Sequence, residues 1–419
     1  MKARDVFTPG RFPTITFVDD HLKEKEKQLR NSLETGAVLV SISGPSKSGK
    51  TVFVERCLGK ENIIQITGAG ITSATDLWLR VFDLIGTPVS VTKTEADFHD
   101  RATSEAGGIS GNAFVVQGKV DVSATQKQGQ SSSETSTSAI DPLQLLIREL
   151  GGTGLTVFID DFHYIPIQVQ AELARQIKEA IRNEVSFITA SVPYHSDDAL
   201  RGNPDLHGRV SMIDFDYWKP AVLKRIAEIG FRELNIIDRP SVVNSLASEA
   251  AGSPQLMQFL CLNACYELGV RERSESPIDF KEDRELFEKI CTVTATSADY
   301  GSVVDKMRDG PKTRGSNRNI YRTRFGWQGD VYRLLTKALS LDPPQLSFRY
   351  SSLIERISNI CSDDAPSGSS VTSACYHAAQ IVNDMIPSIA VEWDGETDVF
   401  DIRDPYFLFY LRWADAVDG

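Results

Sequence analysis

The residues best suited to chemistry are consecutive: Gly44-Pro45-Ser46-Lys47-Ser48-Gly49-Lys50-Thr51. They fit the pattern G-x-x-x-x-G-K-[ST], whose backbone amides cradle a chain of phosphates. Gly44 and Gly49 let the backbone wrap an anion so that N–H groups point inward. Lys50 is expected to neutralise the outer phosphates, and Thr51 to offer its hydroxyl to Mg²⁺. Val52 continues into a helix whose first turn adds its positive dipole end. The expected ligands are ATP and Mg²⁺. Lys47 belongs to the loop, but its side chain receives no role from type and spacing.

A second group follows about a hundred residues later. Leu155-Thr156-Val157-Phe158-Ile159-Asp160-Asp161 is an apolar run ending in an acidic pair, which reads as a Walker B element. Asp160 is the expected Mg²⁺ ligand, facing Thr51. Asp161 is the expected general base on the attacking water. His163 has a titratable ring near neutral pH, and is expected to pack or hydrogen-bond at the start of the next helix. The run 185–191 ends in Ser191, the expected polar contact to the γ-phosphate or to the water, with Thr189 second.

Several elements must position these groups. The apolar, β-branched run 37–43 predicts a strand leading into the loop, and 52–58 a helix leaving it. A strand is expected at 62–67 and a helix at 73–86, capped by Thr72 or Ser73, with Leu77, Val81, Phe82 and Ile85 on one face. Helices are expected from 141–142 and after Pro166, and a strand over 210–215. Strands alternating with helices point to an α/β fold around a parallel sheet. The segment 88–138 breaks the pattern. Its part 107–118 predicts a hairpin strand, and 126–138 is nearly all Ser, Thr, Gln and Gly, too polar to order itself. It reads as an insertion projecting from the core, partly mobile until a partner binds.

The chain has 419 residues, enough for two or three domains. A hydrophobic fraction of 41% and a charged fraction of 24% are ordinary for a globular protein. The net charge of -12 argues against a general nucleic-acid coat protein. No apolar stretch approaches a membrane span, and residues 1–7 lack a signal-peptide core. A cytoplasmic protein without membrane contact is expected. Six scattered cysteines read as buried thiols in a reducing compartment, rather than a zinc site or a disulfide set.

These parts in this order resemble the AAA+ ATPases over about residues 14–270, and more narrowly the branch joining origin-recognition-type proteins to STAND signalling ATPases. The resemblance implies an AAA+-like αβα sandwich of the P-loop NTPase class, with an all-α lid. It implies that Arg209, or in second place Arg201, reaches a neighbouring subunit's nucleotide in a homo-oligomer, where a guanidinium would stabilise transition-state charge. It makes Phe17 and Val18, in the extended lead-in 14–20, candidates for the base pocket; simple packing on the sheet is the alternative. Gly252-Ser253-Pro254 is similar to the G-x-P lid motif, in which the proline (here Pro254) lies near base or phosphates. A helix-start proline needs no function to explain it. Gln255 stands where many AAA+ proteins have arginine, so no second phosphate sensor in cis is expected.

Beyond residue 216 the apolar spacing is helical. Residues 217–300 read as the lid and 301–327 as a basic linker. Lys306, Arg308, Lys312, Arg314, Arg318, Arg322 and Arg324 there could hold nucleic acid non-specifically, dock on an acidic face of a neighbouring subunit, or simply be solvated. Residues 328–419 read as three helices (330–341, 351–360, 371–385) and two strands (388–393, 398–402), which resembles a winged helix-turn-helix. Its ending, Asp404-Pro405-Tyr406-Phe407-Leu408-Phe409-Tyr410, is similar to that of STAND-like prokaryotic ATPases. The recognition-helix position around 371–380 has no Lys or Arg. This domain is therefore expected to pack against protein, closing over the lid and nucleotide, rather than read a major groove. The expectation is a slow, regulatory ATPase switch acting through oligomerisation or a separately encoded effector, which the resemblance associates with prokaryotic antiviral defence. The alternative is a DNA-binding replication or transcription ATPase of origin-recognition type.

Overall fold

Five short apolar segments pair into one parallel sheet in the computed structural model, which describes residues 1–92, 115–118, 141–192, 206–312, 318–386 and 389–414. The chain divides into two units. One comprises Glu24–Gly44 and Lys50–Asp214; the other comprises Met1–Lys23, Pro45–Gly49 and Phe215–Gly419.

The first unit holds the sheet. Its strands are β1 (Leu39–Ser43), β2 (Ile63–Thr67), β3 (Thr156–Asp160), β4 (Ser186–Ser191) and β5 (Val210–Asp214), in the order β2-β3-β4-β1-β5. Strand β4 lies between the strand that leads into the phosphate loop and the strand that carries the acidic pair: Ser43 is level with Ser191, and Ile159 with Thr189. All five run the same way, so the chemistry-bearing ends of β1, β3 and β4 share one edge. Helix α1 (Lys23–Thr35) precedes β1, and among the described residues α2 (Lys50–Leu58), α3 (Ala74–Ile85), α4 (Pro142–Leu150) and α5 (Ile167–Arg182) lie in the crossovers that parallel pairing requires. Ser73 caps α3, its hydroxyl accepting from the Asp76 amide at 3.1 Å, and Thr72 instead donates to the Asp76 carboxylate. The α3 face Leu77, Trp78, Val81 and Phe82 is buried with Val157, Ile159, Phe187, Leu173 and Ile177. In the insertion, Val89–Thr92 pairs antiparallel with Val115–Gly118, inside the expected 107–118 strand. Arg201, Arg314 and the polar run 126–138 lie outside the described residues.

The second unit contains the helices α6 (Pro220–Glu233), α7 (Pro240–Glu249), α8 (Pro254–Glu267) and α9 (Arg284–Ala295). Residues 1–23, which hold the extended lead-in 14–20, group with this unit and not with the sheet. Ala3, Val6, Phe7 and Val18 are buried with Leu223, Phe231, Leu246 and Leu256. Gly230 makes room for this: a Cβ there would stand 2.2 Å from the Phe7 ring. Buried Gln258 ties the segment down, accepting from the Thr8 amide at 3.1 Å and donating to the Thr16 hydroxyl at 2.8 Å.

The presumed linker 301–327 also begins differently. Residues Gly301–Asp309 form helix α10, with Val303, Val304 and Met307 buried in the core of the C-terminal domain. That core is completed by α11 (Val331–Ser340), α12 (Tyr350–Ile360), α13 (Gly368–Met385) and a three-stranded antiparallel sheet. The strands are β6 (Ser347–Arg349), β7 (Val391–Asp394) and β8 (Val399–Ile402), in the order β6-β8-β7. β6 was not expected, because three residues with one inward side chain, Phe348, leave almost no periodic signal. The terminal motif is helix α14 (Pro405–Trp413), burying Phe407, Leu408 and Leu411. All six thiols are buried. No helix among the described residues is long and apolar enough to cross a membrane.

Candidate functional site

The first unit brings together most of the expected catalytic residues. Thr51, at the start of α2, donates its hydroxyl to the Asp160 carboxylate at 2.6 Å. The buried Lys50 ammonium donates to the Gly44 carbonyl at 2.8 Å, across its own loop. The Gly44 amide bonds to the Ser191 carbonyl at 3.2 Å, which fixes the exit of β1 against the end of β4. Ser191 and Thr189 are both buried beside β1. Val52 follows in the first turn of α2, half-buried.

Asp160 also accepts from the Asp161 amide at 3.0 Å. Its carboxyl is nonetheless pushed above the usual carboxylate range, chiefly by burial and secondarily by the neighbouring Asp161 charge, while Thr51 and Lys50 oppose this. Asp161 has a left-handed backbone, φ +53°. That turns the chain sharply at the strand end, and desolvation raises this carboxyl too, against the pull of Lys50. His163 behaves as expected of a packed ring. Burial and Lys50 hold it down to about 4, so it stays neutral near pH 7, and its Nδ1 is buried without a partner among the described residues.

A cation between Thr51 and Asp160 would relieve a desolvated carboxylate. A hydroxyl and a carboxylate are hard oxygen donors of the type Mg²⁺ takes, with phosphate and water completing the shell. Among the described residues no cluster of three or more His, Cys, Asp or Glu forms a metal cage of its own. The Thr51 hydroxyl and Asp160 carboxylate together fit Mg²⁺.

Sequence reasoning passed over Gly68. Its amide donates to the Asp160 carbonyl at 2.7 Å, and a Cβ on it would come within 2.5 Å of the Asp161 carbonyl. A glycine immediately after β2 was the available signal.

Loop residues Pro45–Gly49 group with the second unit. The Ser48 hydroxyl is buried without a partner among the described residues, a vacancy in hydrogen bonding that suits a phosphate oxygen. Trp218, also overlooked, donates its indole N–H to the Ser48 carbonyl at 2.9 Å and meets the His21 ring edge-on at 4.3 Å. Its backbone amide bonds to the Gly252 carbonyl at 2.9 Å. Gly252 has φ +82°, and a Cβ there would stand 2.5 Å from Tyr217. The Gly252-Ser253-Pro254 stretch thus seats Trp218 and starts α8, with the Ser253 hydroxyl capping it and Pro254 in its first turn. Val18 is packed in the helical core, and Phe17 stacks on Phe12 at 5.9 Å.

Two expected groups lie elsewhere. The Arg209 carbonyl accepts from the Leu39 amide at 2.8 Å, at the entrance of β1. The phosphate loop leaves the other end of that strand, four residue steps or about 13 Å away at ~3.3 Å per step. The Arg209 backbone therefore lies at the sheet edge opposite its own chain's loop. In the basic segment, Arg318 is engaged internally. It donates to Asp330 at 2.6 Å and to the carbonyls of Asp309 and Pro311, and lies over the Tyr332 ring. Arg324 donates to the Cys361 carbonyl at 3.0 Å, and Arg308 pairs with Asp305 at 2.8 Å. Lys306, Lys312 and Arg322 are exposed.

No family model matches the chain, and no curated protein does. Solved structures do. The Aeropyrum pernix ORC2 protein, in ADPNP–ADP complexes, is similar with TM-score 0.50 at 13% identity, over 99% of this chain and 98% of that one. A Walker-type ATPase of Pyrococcus abyssi is similar with TM-score 0.49 at 13% identity, over 93% and 95%. Cdc6p of Pyrobaculum aerophilum is similar with TM-score 0.44 at 12% identity, over 99% and 98%. With the strand order and loop position, the first of these shows the fold: an αβα parallel sheet like that of AAA+ P-loop proteins, with a helical region following the sheet.

Proposed function

We propose that this chain binds ATP with Mg²⁺ and hydrolyses it slowly, as a switch that governs its own assembly or a separately encoded effector. The observation that carries the reading is the Thr51–Asp160 pair, 2.6 Å apart on the rim that also holds Lys50 and Ser191. When bound, Mg²⁺ supplies charge neutralisation on the phosphates, and Thr51 and Asp160 are the groups to hold it. Lys50 exchanges the Gly44 carbonyl for phosphate oxygen. Asp161 orients the attacking water and takes its proton, a role suited to a carboxyl whose surroundings raise its proton affinity. Ser191, with Thr189 behind it, offers a hydroxyl beside the same rim. In the second unit, Ser48 and the amides of Pro45–Gly49 other than the proline's cradle phosphate. Trp218 on the loop, His21 against it and Phe17 in the lead-in are the candidate base side, with Val18 packed in the helical core and Pro254 opening α8.

The position of Arg209 at the opposite sheet edge supports action in trans, within a homo-oligomer. The C-terminal domain, three helices and a small antiparallel sheet, is read as a winged helix used against protein, since α13 carries no Lys or Arg. A cytoplasmic location follows from the composition and cysteine usage, and a part in antiviral defence with a separate effector rests on the STAND resemblance alone. The second reading, a DNA-binding ATPase of origin-recognition type, draws on the full-length likeness to the ORC2 protein. The exposed Lys306, Lys312 and Arg322 support at most weak, salt-sensitive contact with nucleic acid. The test is equilibrium binding of ATP·Mg²⁺ to wild type and Lys50→Ala. Affinity should fall at least ~100-fold, about the 2.7 kcal/mol expected for losing a charge-assisted hydrogen bond, with the folded state retained. Equal affinity in a folded Lys50→Ala protein would remove the nucleotide reading.

A further inference from the structure

Lys47, the loop residue without an assigned role, has a specific partner 357 residues away in the same unit. It adopts a left-handed backbone, φ +60°, at the tip of the loop. Its ammonium lies 3.3 Å and 3.5 Å from the two Asp404 oxygens and 4.0 Å from the centre of the Tyr406 ring. Asp404 is the N-cap of α14 and accepts from the Tyr406 amide at 2.9 Å and from the Tyr300 hydroxyl at 2.6 Å. Beside it, the Tyr217 hydroxyl donates to the Arg403 carbonyl at 3.0 Å, and Tyr217 precedes the Trp218 that holds Ser48. The other end of α14 is anchored to α7 through Arg412 and Glu249.

The pair is built unevenly. Lys47 is loosely held, at long distances and 34% exposed, whereas the Asp404 side chain is 11% exposed and keeps two other donors if Lys47 leaves. The loop that carries Lys47 is shaped for a polyanion. Asp404 and a bound triphosphate therefore compete for one ammonium.

We propose that Lys47–Asp404 is a nucleotide-sensitive latch: a triphosphate in the loop draws Lys47 from Asp404 and frees the N-terminus of α14, and with it the C-terminal domain, from the loop tip. The inference rests on the nucleotide-binding reading above. By reciprocity of linkage, whatever breaks the latch tightens the nucleotide, and the reverse.

A double-mutant cycle on the full chain tests this, with Asp404→Asn, which keeps a capping side chain, Lys47→Met, and both together. Asp404→Asn should bind ATP about two- to five-fold tighter, the range open to a partly exposed ion pair. The gain should vanish when Lys47 is already Met. Amide exchange at the start of α14 should rise on adding ATP to wild type, and be high with or without ATP in Lys47→Met. Unchanged or weaker ATP binding by Asp404→Asn, the same gain in the Lys47→Met background, or α14 exchange indifferent to ATP would overturn the latch. Failure of wild type itself to bind ATP would instead sink the nucleotide reading.

Discussion

Glu249 and Asp160 are both carboxylates withdrawn from water, one in each unit, and they differ in what surrounds them. Glu249 is 6% exposed and saturated by its own chain. Arg412 donates to both of its oxygens at 2.7 Å and 2.9 Å, and the Trp413 indole at 2.6 Å. Arg412 is itself spent on the Ser340 carbonyl and Asp342. Asp160 takes a hydroxyl and one backbone amide, with a second acid next to it and Lys50 acting on it only through its charge. Burial consequently raises its proton affinity. A buried charge whose bonds are filled by the fold holds elements together; one left short of positive charge is poised to accept a cation.

Breaking the saturated cluster should have the largest effect on stability. Glu249→Ala takes two bonds from the buried Arg412 guanidinium and one from the Trp413 indole, leaving Arg412 only Asp342 and the Ser340 carbonyl, and should cost about 2–4 kcal/mol in denaturant unfolding. A loss under ~1 kcal/mol would mean that water reaches the cluster and that it is no anchor.

The basic segment offers the same contrast at a smaller scale. Arg318→Ala removes bonds to Asp330 and two carbonyls and should cost about 1–3 kcal/mol. The exposed Arg322→Ala should stay within about 0.5 kcal/mol. Comparable losses would show that the segment is either all scaffold or all surface.

Removing the unsatisfied charge should move stability the other way, and less. Below the usual 3.8 both folded and unfolded states hold the Asp160 proton. As pH rises past that value the unfolded chain ionises first, so stability falls until the folded carboxyl, whose value is raised, ionises too; above that the deficit is constant. Nucleotide-free Asp160→Asn should therefore melt slightly above wild type at pH 7, with the advantage shrinking as pH falls toward 3.8. A lower melting temperature at pH 7 would show Asp160 to be structural. Metal-dependent nucleotide affinity should drop in the same variant.

Much of the site was legible because its parts are contiguous in sequence. The loop 44–51 and the run ending in Asp160-Asp161 each carry their own signature, and the strand-helix alternation between them predicts a parallel sheet. What lies around them was not legible, because it is assembled from distant chain. Gly68 matters only once β2 and β3 are paired, Trp218 only once its indole meets Ser48, and Asp404 only once α14 reaches Lys47. The lead-in illustrates a different limit. Phe7 and Val18 look apolar in any context, and nothing local says that their partners are Gly230 and the helices rather than the sheet. In 301–309 the cations drew the reading toward a basic linker, while Val303, Val304 and Met307 on the same helix were burying themselves in the C-terminal core.

The most direct test of the central claim is single-turnover hydrolysis by Asp161→Asn, with ATP binding measured on the same sample. Asn keeps the shape and leaves Thr51 and Asp160 intact, so ATP·Mg²⁺ affinity should stay near wild type. Turnover should fall by about 10²- to 10⁴-fold, the usual worth of a positioned general base. Retained binding with hydrolysis at the wild-type rate would contradict the account, because the acid at the end of β3 would then not be the group that activates water.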